Sequence, residues 1–230
     1  MSMRIAVFAS GGGSNLQALI ERFNGAREAG ARVGLVVADR PCGALERADR
    51  AGVERALISV RGVEPAEVTL ATLAALEGAG IHVIALAGYL RLVPAPVVER
   101  FRGRIVNIHP ALLPAFGGPG MYGLRVHEAV LRAGVRVTGA TVHFVEERYD
   151  EGRPIAQWPV PVLPDDTAAR LAARVLRVEH LLYPLAIERL VRELGGVPSG
   201  FPAEFHFEAT QDTTALRRAM RDALGLPEEE

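Results

Sequence analysis

The chain has 230 residues, 49% of them hydrophobic, and a formal charge of −1, enough apolar side chain for one large folded domain or a domain with an appendage. Its arginines are scattered, so no concentrated basic field favours a nucleic-acid or membrane partner. One cysteine, Cys42, excludes an internal disulfide framework and a multi-cysteine metal site, and fits a reducing compartment with the cytoplasm as the default. The ends carry no basic-then-apolar secretory segment, and apolar runs stop well short of the ~20 residues of a membrane span, so neither secretion nor membrane insertion is expected.

Residues 4–9 read as a short buried strand running into Ser10-Gly11-Gly12-Gly13, after which Leu16, Leu19, Ile20 and Phe23 stand at helical spacing over 14–23. Further strands are expected at 33–38, 53–60, 81–86 and 104–108, separated by helices at 44–51, 65–77 and 94–101. That alternation implies a parallel sheet covered on both faces. After Pro114 the rhythm changes: 116–124 has the Gly and Pro content of a loop and 127–133 reads as a short helix. Strands at 136–146 and 154–162, joined around Tyr149-Asp150-Glu151-Gly152, should extend the sheet in antiparallel fashion. A long amphipathic helix at 166–194 presents Leu171, Val175, Val178, Leu182, Leu185 and Ile187. The fold class is α/β, a Rossmann-like, mostly parallel sheet with helices on both faces and an antiparallel extension in the C-terminal half. One domain covers 1–195. The tail, 196–230, holds Phe201, Phe205 and Phe207, a helix at 213–224 and an acidic end, and packs on the domain or on the second subunit of a homodimer.

Three places carry chemistry. Asn107 and His109 stand at i and i+2 at a strand end, where side chains share a face, and Pro110 helps stop the strand where a cleft could open. An amide donor beside a titratable ring suits a developing oxyanion; the competing reading is a buried pair satisfied by backbone partners. Ser10 to Asn15 lies between a strand and a helix, where backbone N–H groups and a helix N-terminus hold an anion without a basic side chain. Leu16 stands where G-x-G-x-x-G, a Walker loop and G-x-S-x-G all need glycine, so Ser14 is an anion donor or a helix cap rather than a nucleophile. Asp150 alone would be a turn former, but near His109 it would raise the imidazolium fraction and pass a proton through water.

Other polar residues read more plainly. His143 is a structural histidine, Glu179-His180 is either a solvated pair or a substrate-facing Glu179, and Cys42 is a buried or turn thiol. The six histidines show no ligand spacing, so no metal is expected.

Five ordered segments, Ser10 to Ala18, Leu86 to Arg91, Asn107 to Pro114, Thr141 to Val145 and Glu179 to Pro184, together resemble the phosphoribosylglycinamide formyltransferase family, folate-dependent enzymes of purine synthesis. The resemblance runs from about Arg4 to Leu190. It implies direct formyl transfer from the co-substrate 10-formyltetrahydrofolate to the amine of glycinamide ribonucleotide, without a metal or a covalent enzyme intermediate. It assigns Gly12, Gly13, Ser14 and Asn15 to the ribonucleotide phosphate and Glu179 to the glycinamide. Tyr89, Leu90, Arg91, Leu92, Val93, Asn107 and the loop from Val145 to Asp150 fall to the folate pocket. Asn107 and protonated His109 would stabilise the tetrahedral oxyanion while Asp150 orients His109 and relays the proton. The domain then divides into a phosphate-binding half of about 1–100 and a folate and catalytic half of about 101–195.

The stretch 59–65, with Arg61, departs from the pattern expected for meeting the folate glutamate tail. Among relatives, a deformylase would carry an N-terminal regulatory domain, for which a first strand at Arg4 leaves no room. A methionyl-tRNA formylase would carry a C-terminal RNA-binding barrel, which the short acidic end fits poorly. A non-catalytic phosphate-ligand sensor would keep the Gly13 loop but need not keep Asn107, His109 and Asp150 together.

Overall fold

In the computed structural model, which describes residues 2–25, 30–197, 210 and 212–227, β1 (Met3–Ala9) is buried on both sides, with Ile5 to Ala9 at most 1% exposed. Such a strand belongs in the middle of a sheet. It pairs in parallel with β2 (Ala31–Ala38) and, on its other edge, with a later strand reached by way of three more elements. Helix α1 (Ser14–Gly25) joins β1 to β2, and α2 (Gly43–Arg50), β3 (Glu54–Leu57) and α3 (Pro65–Gly78) lead from β2 to that partner strand, β4 (Val83–Leu86). The chain continues through α4 (Ala95–Arg100), β5 (Ile105–His109), α5 (Leu124–Ala133), β6 (Val137–Phe144), β7 (Pro154–Pro161), α6 (Ala168–Leu194) and α7 (Thr213–Ala223). The seven strands form one sheet in the order β3-β2-β1-β4-β5-β6-β7. Pairing is parallel among β1 to β5 and antiparallel between β6 and β7, as the change of rhythm after Pro114 foretold.

The chain forms two compact units, Met1–Asn107 with Phe144–Gly152, and Ile108–His143 with Arg153–Glu230. In the first, Ala6 and Phe8 of β1 share a cluster with Leu35, Leu76, Ile84 and Val97, so α3 and α4 cover that face. Helices α1 and α2 pack on each other and on β2, burying Leu16, Leu19, Ile20, Phe23, Ala44 and Leu45, none of which joins that cluster. Alternation therefore gives Ile5 and Val7 to the opposite face. Each large apolar side chain so buried contributes about 1.5–3 kcal/mol. Strand β3 is shorter than the expected 53–60 because its partner β2 ends at Ala38, opposite Leu57; the Ile58 N–H takes the Ala38 carbonyl at 2.8 Å, and beyond it β2 offers no further partner.

In the second unit α6 touches α5, β7 and α7, and this enclosure leaves residues 181–191 buried all round. Thr167 caps its start by accepting from the Arg170 N–H at 3.2 Å. Arg221 of α7 pairs with Glu188 at 3.4 Å with both side chains under 10% exposed, while Arg189 donates to the Leu224 carbonyl at 3.3 Å. The described part of the tail thus packs on α6 of its own chain. Phe201, Phe205 and Phe207 lie outside the described residues. Helix α5 begins at Leu124, three residues before the expected 127, because Gly123 takes a φ of +56° at its start.

Candidate active site

In the first unit the glycine loop is shaped by backbone proximity. Gly13 has φ +74°, and a Cβ there would stand 2.9 Å from the Ala44 Cα, so only glycine fits without moving α2. The Gly11 carbonyl accepts from the Ala44 N–H at 3.1 Å, and the Gly12 carbonyl from Arg47 Nε at 2.7 Å. Arg47 also reaches Gln17 Oε1 at 3.2 Å. The Gly13 carbonyl takes the Gln17 N–H at 3.0 Å, which makes Gly13 the cap and Ser14 the first helical residue; of the two expected roles for Ser14, capping is excluded. Helix α1 opens at Ser14, and the N–H groups of a helix's first turn face away from its own carbonyls, which suits an anion.

Residues 89–93 follow β4 and turn back over the ends of β1 and β2. The Tyr89 ring meets Phe8 edge-on at 5.3 Å, and its hydroxyl is pushed up to about 12 by burial, with Asp39 adding to the rise and Arg91 opposing it. Leu90 and Leu92 are exposed, whereas Val93 is buried. Arg91 Nε donates to Asp39 Oδ2 at 2.9 Å.

The loop after β6 returns to the first unit. The Val145 N–H donates to the Ile105 carbonyl of β5 at 2.9 Å, and Gly152 passes so close beneath the Phe144 carbonyl that no side chain could stand there. Its two ends are thereby pinned. Asp150, partly buried between them, holds φ +57°, a left-handed conformation that Asp accepts more readily than most residues.

Asn107 and His109 both fall within β5, with Asn107 partly buried and His109 3% exposed. Asn107 closes the first unit's long segment, and Ile108, followed by His109, opens the second's. In the second unit, His109 Nε2 stands 2.9 Å from the Phe116 carbonyl, which can only accept, so Nε2 carries a proton. Phe116 itself has φ +58°, an uncommon conformation for an aromatic residue that turns its carbonyl to the ring.

The chain from 109 to 116 is held in turn. Thr141 Oγ1 donates to the Ala111 carbonyl at 2.7 Å and accepts from the Leu113 N–H at 3.0 Å. Gln157 Nε2 donates to the Leu113 carbonyl at 2.9 Å and to Thr141 Oγ1 at 3.1 Å. His127, 4% exposed, is kept below the ordinary histidine range by burial and secondarily by the nearby His109. Glu179 is 8% exposed, which removes the solvated reading of that residue, and His143 is 2% exposed, as a structural histidine should be. Cys42 is the partly buried residue preceding α2. Arg61 is exposed in the turn before α3.

Sequence reading passed over Ser10 as more than a loop residue, and passed over Asp39, Phe116, Thr141 and Gln157. The only signal for Thr141 and Gln157 was a polar residue in an apolar strand. They stand directly opposite each other in the β6–β7 register, which no local pattern supplies. Phe116, lacking the glycine that usually marks positive φ, gave no signal.

Residues 3–187 match the formyl transferase family. The chloroplastic phosphoribosylglycinamide formyltransferase of Vigna unguiculata is 43% identical over 205 residues, covering 85% of this chain; the chain spans only 64% of that relative's length. The phosphoribosylglycinamide formyltransferase of Bacillus subtilis (strain 168) is 36% identical over 190 residues, 82% of this chain and 94% of its own. The crystal structure of phosphoribosylglycinamide formyltransferase from Brucella melitensis matches with a TM-score of 0.76 at 41% identity, over 83% of this chain and 96% of that one. Among the described residues no helix is long and apolar enough to cross a membrane, and no three His, Cys, Asp or Glu side chains are grouped to hold a metal ion.

Proposed function

Because this chain belongs to the formyl transferase family, we propose that it transfers the formyl group of 10-formyltetrahydrofolate to the amine of glycinamide ribonucleotide, a step of purine synthesis. The observation that carries the reading is the pair on β5, Asn107 and His109, with the imidazole oriented by the Phe116 carbonyl at 2.9 Å. An amide donor on the same strand face as an oriented ring is suited to a developing oxyanion, and donors are most effective when they need not reorganise.

The amine attacks the formyl carbon, forming a carbon–nitrogen bond and a tetrahedral oxyanion. Asn107 and protonated His109 donate to that oxygen. Asp150 favours the charged ring, whose two N–H groups serve the Phe116 carbonyl and the oxyanion, and passes the proton leaving the amine through water; the bond to N10 of the folate then breaks and N10 is protonated. Gly12, Gly13, Ser14 and Asn15 hold the ribonucleotide phosphate with backbone and side-chain donors at the start of α1, and Glu179 meets the glycinamide. Tyr89, Leu90, Arg91, Leu92, Val93 and Val145 wall the folate. The scheme assigns no step to a metal. Both substrates are small molecules, no nucleic acid or membrane enters, and the proposed setting is the cytoplasm, in keeping with a single cysteine.

The test follows loss of 10-formyltetrahydrofolate with and without glycinamide ribonucleotide. Amine-dependent loss with formylated ribonucleotide is the expected outcome. Formate release without the amine would make the protein a deformylase, and no loss at all would make it a binding protein.

A further inference from the structure

Asp39, the residue after β2, has a side chain only 1% exposed. A lone buried carboxylate would be costly, and this one is met by two guanidinium groups. Arg91 Nε donates to Oδ2 at 2.9 Å, and Arg40 donates through NH2 to Oδ2 at 3.0 Å and through Nε to both oxygens at 3.3 Å. The Ser10 hydroxyl lies close enough to the carboxylate to favour its charged form. Burial would raise the carboxyl's pKa, but the hydrogen bonds from Arg40, Ser10 and Arg91 outweigh it and hold the group below its ordinary range, so it is charged at neutral pH.

Ser10 is where the network changes direction. Its Oγ accepts from the Leu90 N–H at 3.0 Å, its own N–H donates to the Gly88 carbonyl at 3.1 Å, and the next residue begins the glycine loop. The chain leaving β4 is therefore fastened at Ala87, whose N–H donates to the Phe8 carbonyl at 2.8 Å, and then at Gly88, Leu90 and Arg91. Of the last two, Arg91 is bonded to Asp39 directly, and Leu90 is bonded to Ser10, whose hydroxyl lies beside the same carboxylate.

We propose that Asp39 is a positioning residue for folate binding, fixing residues 89–93 against the start of the glycine loop through Ser10 and Arg91. The proposal rests on the reading above that residues 89–93 wall the folate. The ribonucleotide side should be spared, since Gly13 is set by Ala44 and the loop carbonyls by Ala44 and Arg47.

The test compares the wild-type protein with Asp39→Asn and Ser10→Ala by two readouts. An asparagine keeps the shape but removes the charge and replaces one of the two acceptor oxygens with an amide donor facing guanidinium donors, without opening a cavity. The first readout, amide hydrogen exchange without substrates, should show faster exchange at Leu90 in both variants and unchanged exchange at Gln17, whose N–H bonds Gly13. The second, steady-state kinetics, should show the KM for 10-formyltetrahydrofolate raised about tenfold in Asp39→Asn, the loss expected when a hydrogen bond to a charged group fails. Ser10→Ala should shift it less, and kcat and the ribonucleotide KM should stay within about twofold. Unchanged Leu90 exchange overturns the proposal. So does faster exchange with an unmoved folate KM, or an equal rise in both KM values, which would mark general loosening. Exchange needs no substrate: a wild-type protein inert toward formylfolate would sink the functional reading while the anchoring of Leu90 is still decided.

Discussion

The glycine loop after β1 and the chain after β5 each hold polar groups still at a strand end, but by different means. In the loop the backbone does most of the work, with Gly13 against Ala44 and the Gly11 carbonyl bonded from the Ala44 N–H, and one side chain, Arg47, adds a bond to the Gly12 carbonyl. After β5 the holders are side chains far away in sequence, Thr141 for Ala111 and Leu113 and Gln157 for Leu113, together with a left-handed Phe116. A backbone-built site fails when a side chain is added. A side-chain-built site fails when one is removed.

The sharpest break of this contrast lies in the reacting groups themselves. Asp150→Ala should lower kcat by about 10²–10⁴, the usual contribution of a positioned acid–base group, while both substrates still bind by calorimetry. Wild-type turnover in that variant would remove the proton relay.

Gly13→Ala comes next. A left-handed alanine costs about 1–2 kcal/mol, and its Cβ adds a contact with the α2 backbone. The expected result in initial-rate kinetics is a ribonucleotide KM raised about tenfold with the folate KM little changed. Equal loss for both substrates would mean that the loop serves the fold rather than the phosphate.

Thr141→Val tests the other region. It leaves the buried Leu113 N–H and Ala111 carbonyl without that partner, at a cost of about 1–3 kcal/mol in urea unfolding, and kcat should fall as His109 loses its support. Thr141→Ser, which keeps the hydroxyl, should recover most of both. If valine is as good as serine, the side-chain scaffold is not what holds the segment.

The smallest effect concerns pH. His127 has a folded-state pKa below the ordinary 6.5, so below that value the unfolded chain takes a proton that the folded chain resists. Its stability contribution is therefore present above about pH 6.5 and lost as pH falls beneath it. A Tm-against-pH series should decline across that window, and His127→Gln should flatten part of the decline.

The same contrast explains what could be read from the sequence. The strands β1 to β5 and their helices announce themselves through period and spacing, and a glycine run between strand and helix announces an anion site. Asn107 and His109 were legible as a pair because strand period alone puts i and i+2 on one side. Asp39 was not, because its partner Arg91 lies 52 residues away and only the parallel order of β2, β1 and β4 brings them together. Thr141 and Gln157 needed the β6–β7 register, and Phe116 needed a backbone angle that its side chain does not advertise. Glu179 was undecided until the enclosure of α6 placed it inside.

The measurement that bears most directly on the account is single-turnover formyl transfer by Asn107→Ala and His109→Ala, with both substrates saturating and their dissociation constants determined separately. The account predicts a rate about 10²–10³ lower in each, the cost of one oxyanion donor, with binding kept within a few-fold. Transfer at the wild-type rate in either variant would contradict it.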